Sequence, residues 1–362
     1  MPRPRSIRFG TLALFLAFGV SVCAQAQDGA PAPAAPPVPP AVVAPAQPAA
    51  PTQFRFGTAV APAKPAGTLR LMTYNVENLF DDQDDPSLSG AQDDKDMTKP
   101  AAHRKAAADA IRRAGPDVIA LEEVESLDAL LWWRDQFLAD MGYTHVVSLD
   151  SGDDRGIENA VLSRFPLSDA QVWPDLALGG THPEKSEYRG QPINFRRSPL
   201  RVTVSVPAAP ETKGSPYQFT MFVVHQKSGK DNGYWREREA AKTVELAGQV
   251  IGKDPDANVI ILGDLNCQAE QKPFRAYMGA GFVDAFADRV KGESRWITHE
   301  SGRSIDHILL SSGAARELVP TTRFILGMPA RPEGVDWRTT PPPEGFASDH
   351  YPVVVDLHTI DK

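Results

Sequence analysis

Cysteine is almost absent from this 362-residue chain: Cys23 and Cys267 are the only two. If the leader carrying Cys23 is removed, no intramolecular disulfide can form, and the fold must rest on its core, helped at most by a metal. Cys267 directly follows Asn266 and reads as a buried, inert thiol. Basic charge is also scarce. The net charge is −8, and residues 67–362 carry 33 basic against 45 acidic side chains, a balance of −12. Such a global field does not favour a polyanion, so a nucleic-acid partner would need local basic patches or bound divalent cations. Long apolar runs are missing too. The one candidate, Phe9–Val22, is short for a membrane span, and it follows Arg3, Arg5 and Arg8 and precedes Ala24-Gln25-Ala26. Residues 1–26 therefore read as a cleaved secretory signal peptide, which predicts a periplasmic or secreted protein.

Residues 27–66 are dominated by proline and alanine and predict a disordered spacer. Patterned sequence starts near Thr68, so residues 67–362 form one large domain. Strand patterns are predicted at 69–75, 117–121, 144–149, 159–163, 200–206, 217–225, 259–263, 304–310 and 352–357. Helices are expected at 99–114, where Gly115-Pro116 stops the run, and at 126–141, 234–251 and 272–278. Strands and helices mix without strict βαβ alternation. The expected class is α/β, with two sheets packed face to face and flanked by helices.

Polar clusters recur at the ends of these strands: Asn75 with Glu77, Glu122-Glu123, His225, Asp264 with Asn266, and Asp306-His307 joined by Ser348-Asp349-His350. Each alone reads as a turn or cap. Together they supply the chemistry of metal-assisted phosphoester hydrolysis: carboxylates for a hard divalent cation, a histidine for the phosphoryl group, a base for water, and amides for developing charge. Residues two apart on a strand share a face, so Asp264 and Asn266 are expected to project together. Adjacent glutamates point to opposite faces. Register places Glu123 in the site and Glu122 in packing, unless a strand-end bulge reverses the choice. A histidine held beside a carboxylate is kept cationic, and Glu158, just before a strand, is read as an orienter of His225. Arg196 and Arg197 are candidates for a substrate phosphate. Asp81–Asp96 is acidic but lacks EF-hand spacing.

The stretches Met72-Thr73-Tyr74-Asn75-Val76-Glu77-Asn78, Val118-Ile119-Ala120-Leu121-Glu122-Glu123, Phe222-Val223-Val224-His225, Ile261-Leu262-Gly263-Asp264-Leu265-Asn266, Ser304-Ile305-Asp306-His307 and Ser348-Asp349-His350 resemble the endonuclease/exonuclease/phosphatase superfamily, in its order. The resemblance implies a four-layer α/β sandwich and a metal-dependent phosphodiesterase. It implies Glu123 as principal metal ligand, with Asn75, Glu77 and Asp349 around the ion, and Asn75 also beside the substrate. Asp264 would orient or deprotonate the attacking water, Asn266 would contact phosphate, and His350, paired with Asp306 and held cationic by it, would complete the catalytic set with His225 as a second such group. Glu122 stands where many members carry Gln. The implied cofactor is a divalent metal, Mg²⁺ first, with Mn²⁺ or Ca²⁺ as alternatives. The expected substrate is nucleic acid; the rivals are a phospholipid or a small phosphoester on the same fold, or a catalytically silent binding protein. No stable protein partner is implied.

Overall fold

The run Val259-Ile260-Ile261-Leu262 is apolar at every position because the strand it forms is covered on both faces. Ile260 and Leu262 lie in the cluster between the two sheets, whereas Val259 and Ile261 join the cluster formed with helix residues such as Leu246, Ala247, Phe274 and Tyr277. This is a computed structural model, and it describes residues 54–84, 95–183, 186, 188–208, 214, 216–337 and 339–361. The predicted signal peptide, the spacer up to residue 53 and most of the Asp81–Asp96 run lie outside these. Among the described residues no helix is long and apolar enough to cross a membrane.

The first half of the described chain gives β1 Thr68–Leu79, α1 Ala101–Ala114, β2 Val118–Val124, α2 Leu127–Phe137, β3 His145–Ser148, β4 Glu158–Ser163, β5 Leu167–Gln171, β6 Ala177–Thr181, β7 Pro192–Asn194 and β8 Leu200–Val206. The second half gives β9 Tyr217–His225, α3 Gly233–Ile251, β10 Val259–Asp264, α4 Lys272–Gly279, β11 Val283–Asp284, β12 Asp306–Leu310, α5 Ser312–Glu317, β13 Phe324–Ile325 and β14 Val353–His358. One six-stranded sheet has the order β13-β14-β1-β2-β4-β3, and the other β11-β12-β10-β9-β8-β5. Each centres on one strand with a parallel and an antiparallel neighbour: β1 lies between β2 and β14, β10 between β9 and β12. The sheets pack face to face with helices outside, the α/β sandwich expected.

Local signals account for the helix ends. The Ser126 hydroxyl accepts the Ala129 amide and caps α2. Gly115 closes α1 in the left-handed region at φ 65°. Trp133 is fully buried and donates its Nε1–H to the Arg104 carbonyl, while Trp132 lies under the Arg104 guanidinium.

The predicted spacer ends earlier than expected. Phe56 is buried against Tyr351 with ring centroids 5.8 Å apart. Thr58 bridges to Leu326, and Lys64 reaches Asp117 at 2.6 Å. Two phenylalanines within Gln53-Phe54-Arg55-Phe56 give this stretch apolar area to bury, which proline and alanine alone do not supply. The structure also adds strands without a clear apolar alternation. β5 is largely exposed, and the β6–β7 ribbon is short and buries only Leu178 and Ile193.

Candidate active site

Backbone distortion brings the polar clusters together at one edge of the sandwich. Five non-glycine residues among those described have positive φ, and four of them are Glu77, Asn78, Glu123 and Asn266. Such conformations cost energy and concentrate where side chains must be re-aimed. In β2 the register jumps between Glu122 and Val124, leaving Glu123 as the extra residue. The bulge is real, but the assignment keeps its expected sense. Glu123 lines the cleft. Glu122 is fully buried, accepts the Thr73 hydroxyl at 2.8 Å, and burial raises its carboxyl well above the ordinary value.

Gly263 has φ 135°, and a Cβ there would lie 2.0 Å from the Val224 carbonyl oxygen. Only glycine lets β10 come this close to β9, and the next residue is Asp264. Asp264 and Asn266 meet, though not by strand alternation. β10 ends at Asp264, and the chain turns so that the Asn266 amide donates to Asp264 Oδ1 at 2.8 Å and its Nδ2 to Oδ2 at 2.9 Å. Asn75 Nδ2 lies 3.4 Å from both Asp264 Oδ2 and Glu123 Oε1, bridging the two sheets.

A second bridge is the His350–Asp306 pair. His350 Nδ1 lies 2.9 and 3.1 Å from the Asp306 oxygens. Asp306 is itself fixed by the Thr298 hydroxyl at 2.6 Å. The Ser348 hydroxyl donates to the Asn75 carbonyl and accepts the His350 amide, tying this turn to β1. His350 Nε2 is left facing the cleft, 3.8 Å from Asp264 Oδ2 and 3.8 Å from Asp349 Oδ1. Burial alone would lower its pKa, but Asp306, Asp264 and Asp349 outweigh that and hold it well above the ordinary histidine value. Burial pushes Asp264 up to about 7, with His350 pulling the other way.

His225 differs from its expected state. Its Nε2 sits 3.6 Å from both Glu123 and Asp264, too far for a hydrogen bond. Burial first, then Arg197 and Arg155, depress its pKa well below the ordinary value. The imidazole is therefore neutral, not a second cation. Glu158 does not orient it either, because its carboxyl is held by the Ser148 hydroxyl. Burial raises Glu158 to about 7 from 4.5. Between those values the folded chain keeps a proton the unfolded chain has lost, so stability falls as pH rises through that window. Glu158→Gln, which mimics the protonated form, is expected to reduce the drop in Tm between pH 5 and pH 8 by about 3 °C or more. Melting curves at both pH values check this; an unchanged drop would remove Glu158 as a contributor.

The two arginine candidates are otherwise engaged. Arg196 pairs with Asp154 at 2.5 Å. Arg197 lies at the cleft floor, bound to Asp153 at 2.9 Å and to the carbonyls of His225 and Gln226. The cleft instead presents Arg155, which the sequence reading missed. Its Nη2 is 3.4 Å from Glu123 Oε2, and its Nε and Nη2 are buried without a hydrogen-bond partner. Its signal was there: Asp153-Asp154-Arg155-Gly156 is one more polar cluster beside a strand. His299 was missed as well. Its Nδ1 accepts the Ser301 amide, which leaves Nε2–H for Asp349 at 3.2 Å. Cys267 is buried, and its thiol is pushed up to about 12 by burial.

The donor chemistry here suits a divalent cation. Glu77, Asn75, Glu123 and Asp349 offer hard oxygens. Burial and the neighbouring Asp349 raise Glu77 to about 7, as expected where carboxylates crowd without a counter-ion. Among the described residues, the groups whose ligand atoms lie within 4.8 Å of one another are His299, Asp349 and His350, and Asp264, Asp306 and His350. Neither Glu123 nor Glu77 belongs to either group.

Comparison with known proteins identifies the family and the fold. Residues 72–350 match the model of the endonuclease/exonuclease/phosphatase family. No curated protein matches the chain in sequence. Among solved structures, the human Nocturnin catalytic domain with bound sulfate anion is similar at TM-score 0.52 and 15% identity, covering 81% of this chain and 95% of that one. A family protein from Bacteroides thetaiotaomicron gives 0.50 and 16%, covering 82% and 96%. One from Bacteroides vulgatus gives 0.50 and 13%, covering 81% and 99%. Likeness at these identities shows the fold, and the family match extends over more than half of the chain: the protein belongs to the endonuclease/exonuclease/phosphatase family and is a phosphoester hydrolase.

Proposed function

We propose that this protein is an exported, divalent-metal-dependent phosphodiesterase that cleaves nucleic-acid phosphodiester bonds by in-line attack of water. The observation that carries the reading is the convergence of a carboxylate and a cationic imidazole from different sheets. Asp264 comes from β10 and His350 from the turn before β14, 3.8 Å apart at the cleft. A divalent ion, when bound by Glu123 with Asn75, Glu77 and Asp349, would supply charge to the phosphoryl and leaving oxygens. The ionised Asp264 accepts a proton from the attacking water or fixes its lone pair. The Asn266 and Asn75 amides hold Asp264 in place. His350, kept cationic by Asp306, neutralises the charge that grows on the phosphoryl group.

The nucleic-acid reading rests on the rim. The cleft is about 700 Å³, and Arg155, Lys230 and Arg303 line it despite the acidic chain. Local cations of this kind are what a polyanion needs against a repulsive average field. The basic and then apolar leader supports export to the periplasm or beyond.

The test is hydrolysis of plasmid DNA, RNA, sphingomyelin and a bis-aryl phosphate with Mg²⁺, Mn²⁺ or Ca²⁺, each with a chelator control. Chelator-sensitive cleavage of DNA or RNA is expected. Turnover confined to lipid or to small esters would overturn the substrate assignment and keep the chemistry. Glu123→Gln is expected to weaken metal binding by at least about ten-fold, since even groups that only support a ligand contribute that much. Calorimetric titration of Mg²⁺ or Mn²⁺ reads this directly. A wild-type isotherm would take Glu123 out of the metal site.

A further inference from the structure

Lys99 is buried, and the chemistry above gives it no part. A lysine is seldom buried without a partner, because taking its charge out of water is costly. Here the partner is the backbone of a segment at the metal site: Lys99 Nζ donates to the Glu77 carbonyl at 2.8 Å. We propose that Lys99 is a positioning residue of the metal site. It holds the Glu77–Asn78 turn in the strained conformation that brings the Glu77 carboxylate to the cleft and the Asn78 amide onto Glu123. The proposal rests on the reading of Glu77, Glu123 and Asp349 as metal ligands.

Glu77 and Asn78 are consecutive, and both are left-handed, at φ 51° and 52°. Asparagine tolerates that region, whereas a glutamate there must be fixed by its contacts. Each polar backbone group of the turn has a partner. The Glu77 amide donates to Asn75 Oδ1 at 2.9 Å, and the Asn78 amide to Glu123 Oε2 at 3.0 Å. The Asn78 carbonyl accepts the Phe80 amide at 2.9 Å, and the Glu77 carbonyl accepts Lys99. Two of these four bonds are made by side chains of the site itself, Asn75 and Glu123. A change in the turn is therefore felt at the other metal ligands.

Lys99 can act as a clamp because it is held in turn. Its amide donates to the Phe80 carbonyl at 3.1 Å, and its carbonyl accepts Arg104 Nε at 3.0 Å. Arg104, in α1, lies over the Trp132 ring of α2 at 3.9 Å and donates to Gln136 at 2.9 Å. The clamp thus runs from the helix layer to the edge of the cleft. Charge acts in the same direction. Burial lowers the Lys99 pKa, while Glu77, Asp349 and Glu123 oppose that shift. The three carboxylates read as metal ligands all act on this one side chain, and a cation there offsets part of their mutual repulsion.

Calorimetric titration with Mn²⁺ compares the wild type, Lys99→Met, Glu77→Gln and the double variant, with melting curves alongside. Each single change is expected to weaken Mn²⁺ binding by about ten-fold, as groups that support a ligand do. Because Lys99 acts through Glu77, the double variant should also lose about ten-fold, well short of the roughly hundred-fold of independent effects. A lysine that only stabilises the fold would lower Tm and leave the isotherm unchanged. Lys99→Gln, too short to reach the carbonyl, gives the same cycle where the methionine variant does not fold. An unchanged isotherm or additive losses overturn the proposal. So does tighter binding, in which Lys99 merely competes with the ion for the carboxylates. A wild type that takes up no Mn²⁺ overturns the metal-site reading and the proposal with it.

Discussion

Replacing His350 with alanine is expected to lower kcat by about a thousand-fold or more, with the fold intact. A positioned acid–base or charge-stabilising group is worth roughly 10² to 10⁴ in rate, and two features place His350 toward the upper end. Its Nδ1 is held by both Asp306 oxygens, so Nε2 faces the cleft in one fixed orientation. Three aspartates also overcome the effect of burial and keep the ring charged. A charge already formed and aimed costs no reorganisation when the phosphoryl oxygens gain theirs. Asp306→Asn should lose less, about ten- to a hundred-fold, because the ring remains but its charge and orientation are held less firmly. Kinetics with saturating metal, beside melting curves, separate chemistry from folding. A His350→Ala enzyme within about ten-fold of wild type would remove the imidazole from the reaction. Wild-type kcat for Asp306→Asn would dissolve the pair.

The parts of this site that could be read from sequence are those fixed by strands. Val259–Asp264 shows itself through its apolar run and through Gly263, which only a close approach between strands requires. Glu123 was separable from Glu122 because neighbours on a strand face opposite ways, although the bulge at Glu123 made the margin narrow. What remained hidden depends on contacts far apart in sequence. Arg155 becomes a cleft residue because Arg197 holds Asp153, whose carboxylate caps the Arg155 amide. Nothing within either stretch announces that pairing. The protonation state of His225 was unreadable for the same reason: burial and two distant arginines set it. The Phe54–Phe56 stretch looked like spacer because proline and alanine dominate its surroundings, and its role depends on where Tyr351 lies.

Asp264→Asn is expected to reduce kcat/KM by about a thousand-fold and to change the shape of its pH profile. In the proposed mechanism the carboxylate acts when ionised, and burial raises it to about 7 from 3.8. Below that value it is protonated and cannot take up a proton, so wild-type activity should rise with pH through about 7. As the proposed charge stabiliser His350 acts when charged, and it is held well above its ordinary value. Activity should therefore fall only once pH passes that raised value, giving a bell with its acidic limb near 7. In the asparagine variant the amide keeps the size of the side chain and loses the titration. The residual rate should be flat across the acidic limb, while the alkaline limb remains. The same residue also accepts from Asn266 and faces His350, so the loss of its charge should lower the His350 pKa and bring the alkaline limb to lower pH. An acidic limb that persists unchanged in Asp264→Asn would assign it to another group in the crowded carboxylate cluster, with Glu77, also raised to about 7, first among them.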